Sequence, residues 1–275
     1  MNSFDNRLAA DRILDGNGLA LHGYCGFELL SDRLISCRAA DRMRAAFSDS
    51  PPKTVIVALF PYRADDREGN LSRYARLPDY HAAAGGVLES AAASLSAALS
   101  DYRFLAFIDN SPIPEVRAAA LAGLGRVGDH HLLINPVFGS WVFIGCIVTD
   151  MPVEFGEQSI EGCLQCGKCA AGCPSGCAGG ESRQDCVSRL TQLKGELDPR
   201  QRELLKKSGM AWGCDRCQEV CPLNSGVRTE PHACFGGKVF EPSLTEDIIS
   251  DLEDRAYGWR GAEVLKRNLE ILYSK

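Results

Sequence analysis

Four cysteines at C-x2-C-x2-C-x3-C-P spacing, Cys163, Cys166, Cys169 and Cys173 with Pro174 behind them, constrain this chain more than any other feature. Ligands so closely spaced must wrap something compact. At this spacing three thiolates hold one iron-sulfur cluster while the fourth reaches a second one. A further group, Cys214, Cys217 and Cys221 followed by Pro222, repeats the theme. Together they predict a ferredoxin-like module with two 4Fe-4S clusters, and hence a chain that carries electrons.

Each cubane takes four thiolates, and a crossing ligand ties the two segments together. Cys163, Cys166, Cys169 and Cys221 are expected to hold the first cluster. Cys173, Cys214 and Cys217 leave the second one ligand short. Cys186, in the helical stretch DCVSRLTQL, is the preferred fourth; Cys177, four residues beyond Cys173, competes with it. Paired C-x2-C groups also build zinc sites, but the longer run ending in Cys-Pro is the narrower, iron-sulfur signature. Disulfides fit less well, since 13 cysteines is an odd number. The opening MNSFDNRLAADRILDGN is polar and helical, without the apolar segment of a secretory signal. A reducing, cytoplasmic setting is therefore expected, with Cys25, Cys37, Cys146 and Cys234 as ordinary thiols.

A composition of 45% hydrophobic and 24% charged residues suits a globular protein, and no run approaches membrane-spanning length. The net charge of −6 does not advertise a nucleic-acid binder. Two basic groupings, Arg63, Arg67, Arg73 and Arg76, and Arg200, Arg202, Lys206 and Lys207, read as solvated faces. At 275 residues the chain can bury an α/β core and still carry a cluster module. The expected fold is α/β, a mixed α+β sheet domain over 1–155, then the ferredoxin-like double-cluster domain over 156–235 and a helical tail over 236–275.

Within the first part, KTVIVALFPY (53–62) has the β-branched apolar run of a buried strand. The Ala-rich segment HAAAGGVLESAAASLSAAL reads as helix, 103–108 as a strand, and 132–134 and 141–148 as two more. Asp109 falls at a strand end, just before a Pro-marked helix start. Gly123, Gly125 and Gly128 spell G-x-G-x-x-G, yet they close a helix and precede a strand, the reverse of a dinucleotide-binding turn. They read as a helix C-cap with a loop open to close approach by a ligand.

The segments RYARLPDYH (73–81), DNSP from Asp109, AGLGRVGDHHLLINPVFGSWVFIG (122–145), CLQCGKCAAGCPSG, DCVSRLT and GCDRCQEVCPLN resemble the epoxyqueuosine reductase family. The position of Cys186 also resembles that family's isolated fourth ligand. The resemblance implies a cobalamin-dependent iron-sulfur oxidoreductase of queuosine tRNA modification, its corrinoid bound between the α/β part and the clusters. It carries the proton-donor role onto Asp109, whose carboxyl, beside an apolar pocket at a strand end, is expected to have a raised pKa; an N-cap for the next helix is the other reading of Asp109. It places Tyr80, His81, Gly125, Gly128, His130 and Ser140 around the corrinoid; a packed tyrosine is an equally good reading of Tyr80, and ordinary hydrogen bonding is the better reading of the histidines.

Two departures stand out. The family usually reads G-W-x-G-K-N where this chain has Gly125, Arg126, Gly128, Asp129 and His130. Its long members also carry a helical-repeat part that helps hold tRNA, for which 236–275 offers only helices such as RGAEVLKRNLEILY. The implied partners are reduced ferredoxin, flavodoxin or a similar donor, and queuosine-precursor tRNA, with no membrane. Two alternatives stand beside this: a corrinoid iron-sulfur reductase with a non-tRNA substrate, and a ferredoxin-like carrier without corrinoid.

Overall fold

The computed structural model describes residues 3–274. In chain order, the first part runs α1 (Ser3–Gly16), β1 (His22–Gly26), α2 (Arg38–Ala46), β2 (Thr54–Pro61), α3 (Tyr80–Ala98), β3 (Phe104–Ile108) and α4 (Glu115–Leu121). Two short strands follow, β4 (Arg126–Val127) and β5 (Leu133–Ile134), and then β6 (Val142–Thr149). Every residue of β2 is buried, because the strand packs on both faces. Val55, Val57 and Leu59 meet Phe107, Cys146 and the alanines of α4 on one side. Ile56, Ala58 and Phe60 meet Leu14 of α1 and Ala84, Leu88 and Leu95 of α3 on the other. This is the period-2 alternation of a strand with two dry faces. Gly145 of β6 brings α3 close, since a Cβ there would stand 2.2 Å from a Leu88 methyl.

The sheet order is β1-β2-β6-β3, and every pair is antiparallel. The alternation of strand and helix along the chain therefore builds helices on an antiparallel sheet. α4 ends as the glycine pattern predicts. Gly123 turns at φ 75°, and the N–H groups of Gly123 and Leu124 donate to Ala120 and Ala119 carbonyls at 3.0 Å each, closing a Schellman motif.

The cysteine-rich part contains short helices α5 (Lys168–Gly172), α6 (Val187–Leu190) and α8 (Arg216–Glu219) around the longer α7 (Pro199–Ser208). α7 has a complete capping box between Asp198 and Gln201, Pro199 in its first turn and Gly209 at its C-cap. The terminal helix α9 (Ala262–Tyr273) packs with Leu71, Ala75, Trp212, Leu244 and Tyr257 in a shared apolar core. Its Asn268 donates to the Thr191 and Ala211 carbonyls at 2.8 Å each, tying this helix to the segments that flank the cysteines.

Two members of the first basic grouping, Arg73 and Arg76, do not face solvent, although Arg67 does. The Arg76 side chain is only 5% exposed, paired with Asp65 at 2.9 Å and donating to the Leu71 and Arg67 carbonyls. Arg73 lies over the Trp141 ring and joins Glu219 and the buried Asp215 of the cysteine-rich part. Long-range partners, invisible in a local charge count, draw these guanidinium groups inward. Gly213 makes the adjoining bend at φ 70°, where a Cβ would stand 2.0 Å from Ser72 Oγ. Gly213→Ala is expected to cost about 1–3 kcal/mol from backbone strain alone, read as a lower thermal midpoint with correspondingly poorer retention of the cluster next to Cys214.

Candidate active site

The eight cysteines assigned as ligands fall into two groups, each drawn from both halves of the cysteine-rich part. Cys163, Cys166, Cys169 and Cys221 border one small hollow, together with Gly128, Asp129 and His130. Backbone N–H groups of Asp129 and Gln165 both point at Cys163 Sγ, 3.4 Å away. Cys166 is exposed, so this group lies at the surface.

The second group is deeper. Burial pushes the Cys214 and Cys217 thiols up to about 12, and the neighbouring sulfurs of Cys186 and Cys173 add to the rise in both. Two thiols held in a dry place beside other sulfurs resist ionisation until a cation compensates them, as a bound iron centre does. Burial also opposes ionisation of Cys173, but hydrogen bonds from Ser175, Ala178 and Cys177 bring it below its ordinary value. Cys177 Sγ stands 3.8 Å from Cys173 Sγ.

Cys186, Cys214 and Cys217 also form one wall of a cavity of about 600 Å³. Its opposite wall comes from the sheet domain: Tyr62, Tyr74, Phe143, Leu133, Ser140 and His130. A buried polar network fixes the two walls together. Ser140 N–H donates to Asn224 Oδ1 at 2.8 Å and its hydroxyl to Gln218 Oε1 at 2.9 Å, while Asn224 donates back to Ser140 Oγ and to the Gln218 carbonyl. Tyr62 hydroxyl completes it on Gln218 Oε1 at 3.1 Å. Asn224→Ala leaves several of these groups unpaired, for an expected loss of about 1–3 kcal/mol in chemical unfolding and a cavity that no longer holds its shape.

Of the residues singled out from the sequence, Ser140 and His130 line this cavity, while His81 lines a separate one with Arg42 and Asn110. The hydrogen-bonding groups of Ser140 serve the network. His130 Nδ1 accepts from Leu132 N–H at 3.2 Å and its buried Nε2 has no partner. Burial, aided by Arg183, lowers the His130 pKa to about 4, so the ring is neutral at pH 7. Gly125 and Gly128 make room for the chain itself: a Cβ would stand 2.5 Å from the Ile134 carbonyl oxygen at the first and 2.5 Å from the His130 ring at the second. Tyr80 lies one layer behind the wall, stacked at 4.1 Å on Phe143 and at 4.0 Å on His81.

Asp109 corrects an expectation. Its carboxyl is held below the ordinary carboxylate range by the hydrogen bond from His81, 3.0 Å away, rather than raised by an apolar pocket. Nor does it cap α4, whose N-cap is Pro114. Asp109 sits exposed in the left-handed region at φ 55°. Burial works against charge on His81, but Asp109 on Nε2 and Asp79 at 2.7 Å on Nδ1 lift its pKa to about 9. At neutral pH the proton of this group therefore resides on His81. The carboxyl beside this pair whose pKa is raised is Glu115, six residues on, where burial dominates and the Asp109 charge adds to it. Its Oε1 is shut away without a partner. An acid in a first helical turn ordinarily reads as a solvated complement to the helix dipole, so no local pattern marks this one.

Comparison with known proteins bears on both halves of the site. The profile of the 4Fe-4S double cluster binding domain matches residues 162–224, which hold all eight cysteines and Cys177. The epoxyqueuosine reductase of Lactococcus garvieae is 30% identical over 253 residues, covering 83% of this chain and 71% of that protein. The chain belongs to the epoxyqueuosine reductase family. It is thus an iron-sulfur oxidoreductase, and the zinc reading of its cysteines falls away. Solved epoxyqueuosine reductases share the fold across nearly the whole chain. One, in complex with an epoxyqueuosine-modified tRNA-Tyr stem loop, gives a TM-score of 0.75 at 22% identity, covering 98% of this chain and 81% of that one. Another, from Bacillus subtilis with its catalytic aspartate loop swung out of the active site, gives 0.76 at 21%, covering 98% and 82%. Among the described residues no helix is long and apolar enough to cross a membrane.

Proposed function

We propose that this chain is a cobalamin-dependent reductase that removes the epoxide oxygen of epoxyqueuosine in tRNA. The observation that carries the proposal is the shared wall, where Cys186, Cys214 and Cys217 border the same cavity as Phe143, Tyr74 and His130. In this reading Cys163, Cys166, Cys169 and Cys221 hold the outer cluster, and Cys173, Cys186, Cys214 and Cys217 the cluster beside the cavity. A soluble donor such as reduced ferredoxin or flavodoxin meets the outer cluster near the exposed Cys166.

A corrinoid suits the cavity on the chain's own terms. The aromatic wall offers flat apolar surface, and two buried donors that border it, His130 Nε2 and Arg260 Nε, lack acceptors. Orphaned donors on a cavity wall match the amide oxygens at a corrin rim. Bound there, cobalamin would supply a low-potential cobalt centre within reach of the inner cluster.

Removing an epoxide oxygen as water consumes two electrons and two protons, so the chain must supply both. His81 holds one proton between Asp79 and Asp109. Glu115, its pKa raised by burial and then by the Asp109 charge, is the second acid of this group. Asp109, exposed in the left-handed region at φ 55°, connects them and in this reading carries its carboxyl to the substrate. The stem-loop complex of a relative supports tRNA as the molecule that presents that substrate.

The test is turnover of an epoxyqueuosine-containing tRNA stem loop by the anaerobically reconstituted chain with cobalamin and a reductant. Mass spectrometry of the released nucleoside should show loss of one oxygen that depends on cobalamin. Clusters and cobalamin bound in full with an unchanged nucleoside would overturn the substrate assignment.

A further inference from the structure

The cavity-side group has five thiols, one more than a cubane takes. Besides Cys173, Cys186, Cys214 and Cys217, the tight turn that follows Cys173 returns Cys177 to the same place. Gly176, at φ 69°, donates its N–H to the Cys173 carbonyl at 3.0 Å, and the two sulfurs end 3.8 Å apart. That spacing decides what Cys177 can do. Every iron of a cubane gives the protein only one outward corner, and thiolates on different irons stand farther apart than this. Cys173 and Cys177 therefore address the same iron, and Cys177 is not an independent fourth ligand in place of Cys186.

We infer that Cys177 is a reserve ligand for the iron held by Cys173. When Cys173 is lost, Cys177 takes the vacant corner; its thiol gives up a proton to solvent and forms an Fe–S bond, with no change in oxidation state. The inference rests on the assignment of the inner cluster to Cys173, Cys186, Cys214 and Cys217.

Iron content after anaerobic reconstitution tests it in the full chain, where two 4Fe-4S clusters give eight irons. Cys173→Ala is expected to keep about eight, Cys177→Ala about eight, and the double variant about four. Alkylation followed by mass spectrometry gives a second reading: Cys177 is labelled in the unsubstituted holoprotein and protected in Cys173→Ala. A fall to about four irons in Cys173→Ala, with the far-UV circular dichroism of the unsubstituted chain, would overturn the inference. Should that variant fail to fold, Cys173→Gly takes its place, and a Cys177 labelled there as fully as in the unsubstituted holoprotein would overturn it as well. Fewer than eight irons in the unsubstituted chain would overturn the two-cluster assignment itself, and the inference with it.

Discussion

Asp109→Asn is expected to lower kcat for epoxide reduction by about 100-fold or more, the range over which a positioned acid-base group acts, with iron and cobalamin content unchanged. The change removes a charge that His81 relies on. In the native chain His81 keeps its proton up to about 9, so the rate should hold through neutral pH and fall as pH rises through that value. In Asp109→Asn the falling limb should move toward 6.5, the ordinary histidine value. A kcat profile with the same alkaline limb in both proteins would contradict the His81–Asp109 assignment. The same pairing sets a window for stability. His81, raised from 6.5, contributes fully below 6.5 and loses its contribution as pH rises through about 9. Asp109 and Asp79, lowered from 3.8, contribute above that value and lose theirs as pH falls through their folded values.

Cys186→Ala should take away the whole inner cluster, dropping iron from about eight to about four per chain and abolishing turnover with every reductant. Cys177 does not rescue it, because its sulfur lies at the Cys173 corner. Cys166→Ala is expected to lose the outer cluster instead, with an equal loss of iron but a different kinetic outcome. The cluster on the cavity wall survives, so a small chemical reductant still drives turnover while a protein donor fails. Equal failure of both variants with the small reductant would mean that the outer cluster, too, is needed at the cavity. Iron analysis alongside the two assays separates these outcomes.

Much of the scaffold is legible in the sequence because it rests on local pattern. The unbroken apolar run 54–61 forms a strand dry on both faces, and the glycines after α4 make a C-cap rather than a dinucleotide turn. The cysteine spacing announces two clusters because thiolates at x2, x2 and x3 intervals have few other compact targets. What escapes the sequence is long-range. His81 and Asp109 stand 28 residues apart, and only the fold shows that one holds the proton of the other. Nothing in the sequence around Glu115 marks its burial, and Arg76 reads as a surface charge until Asp65 and two carbonyls enclose it. Ser140 reads as a cofactor contact, yet its partners Gln218 and Asn224 lie about eighty residues away in sequence. Spacing rules reach a turn or two of chain, and these contacts lie beyond them.

The shared wall between cavity and inner cluster is the central claim, and electron paramagnetic resonance of the anaerobically reconstituted chain with cobalamin tests it most directly. The account predicts a stoichiometric cobalt(II) signal from protein-bound corrinoid, with reduced clusters in the same sample. It also predicts that Phe143→Arg, which thrusts a charged chain into the cavity, removes the cobalt signal while leaving both clusters. Full clusters without bound cobalt in the unsubstituted chain would contradict it.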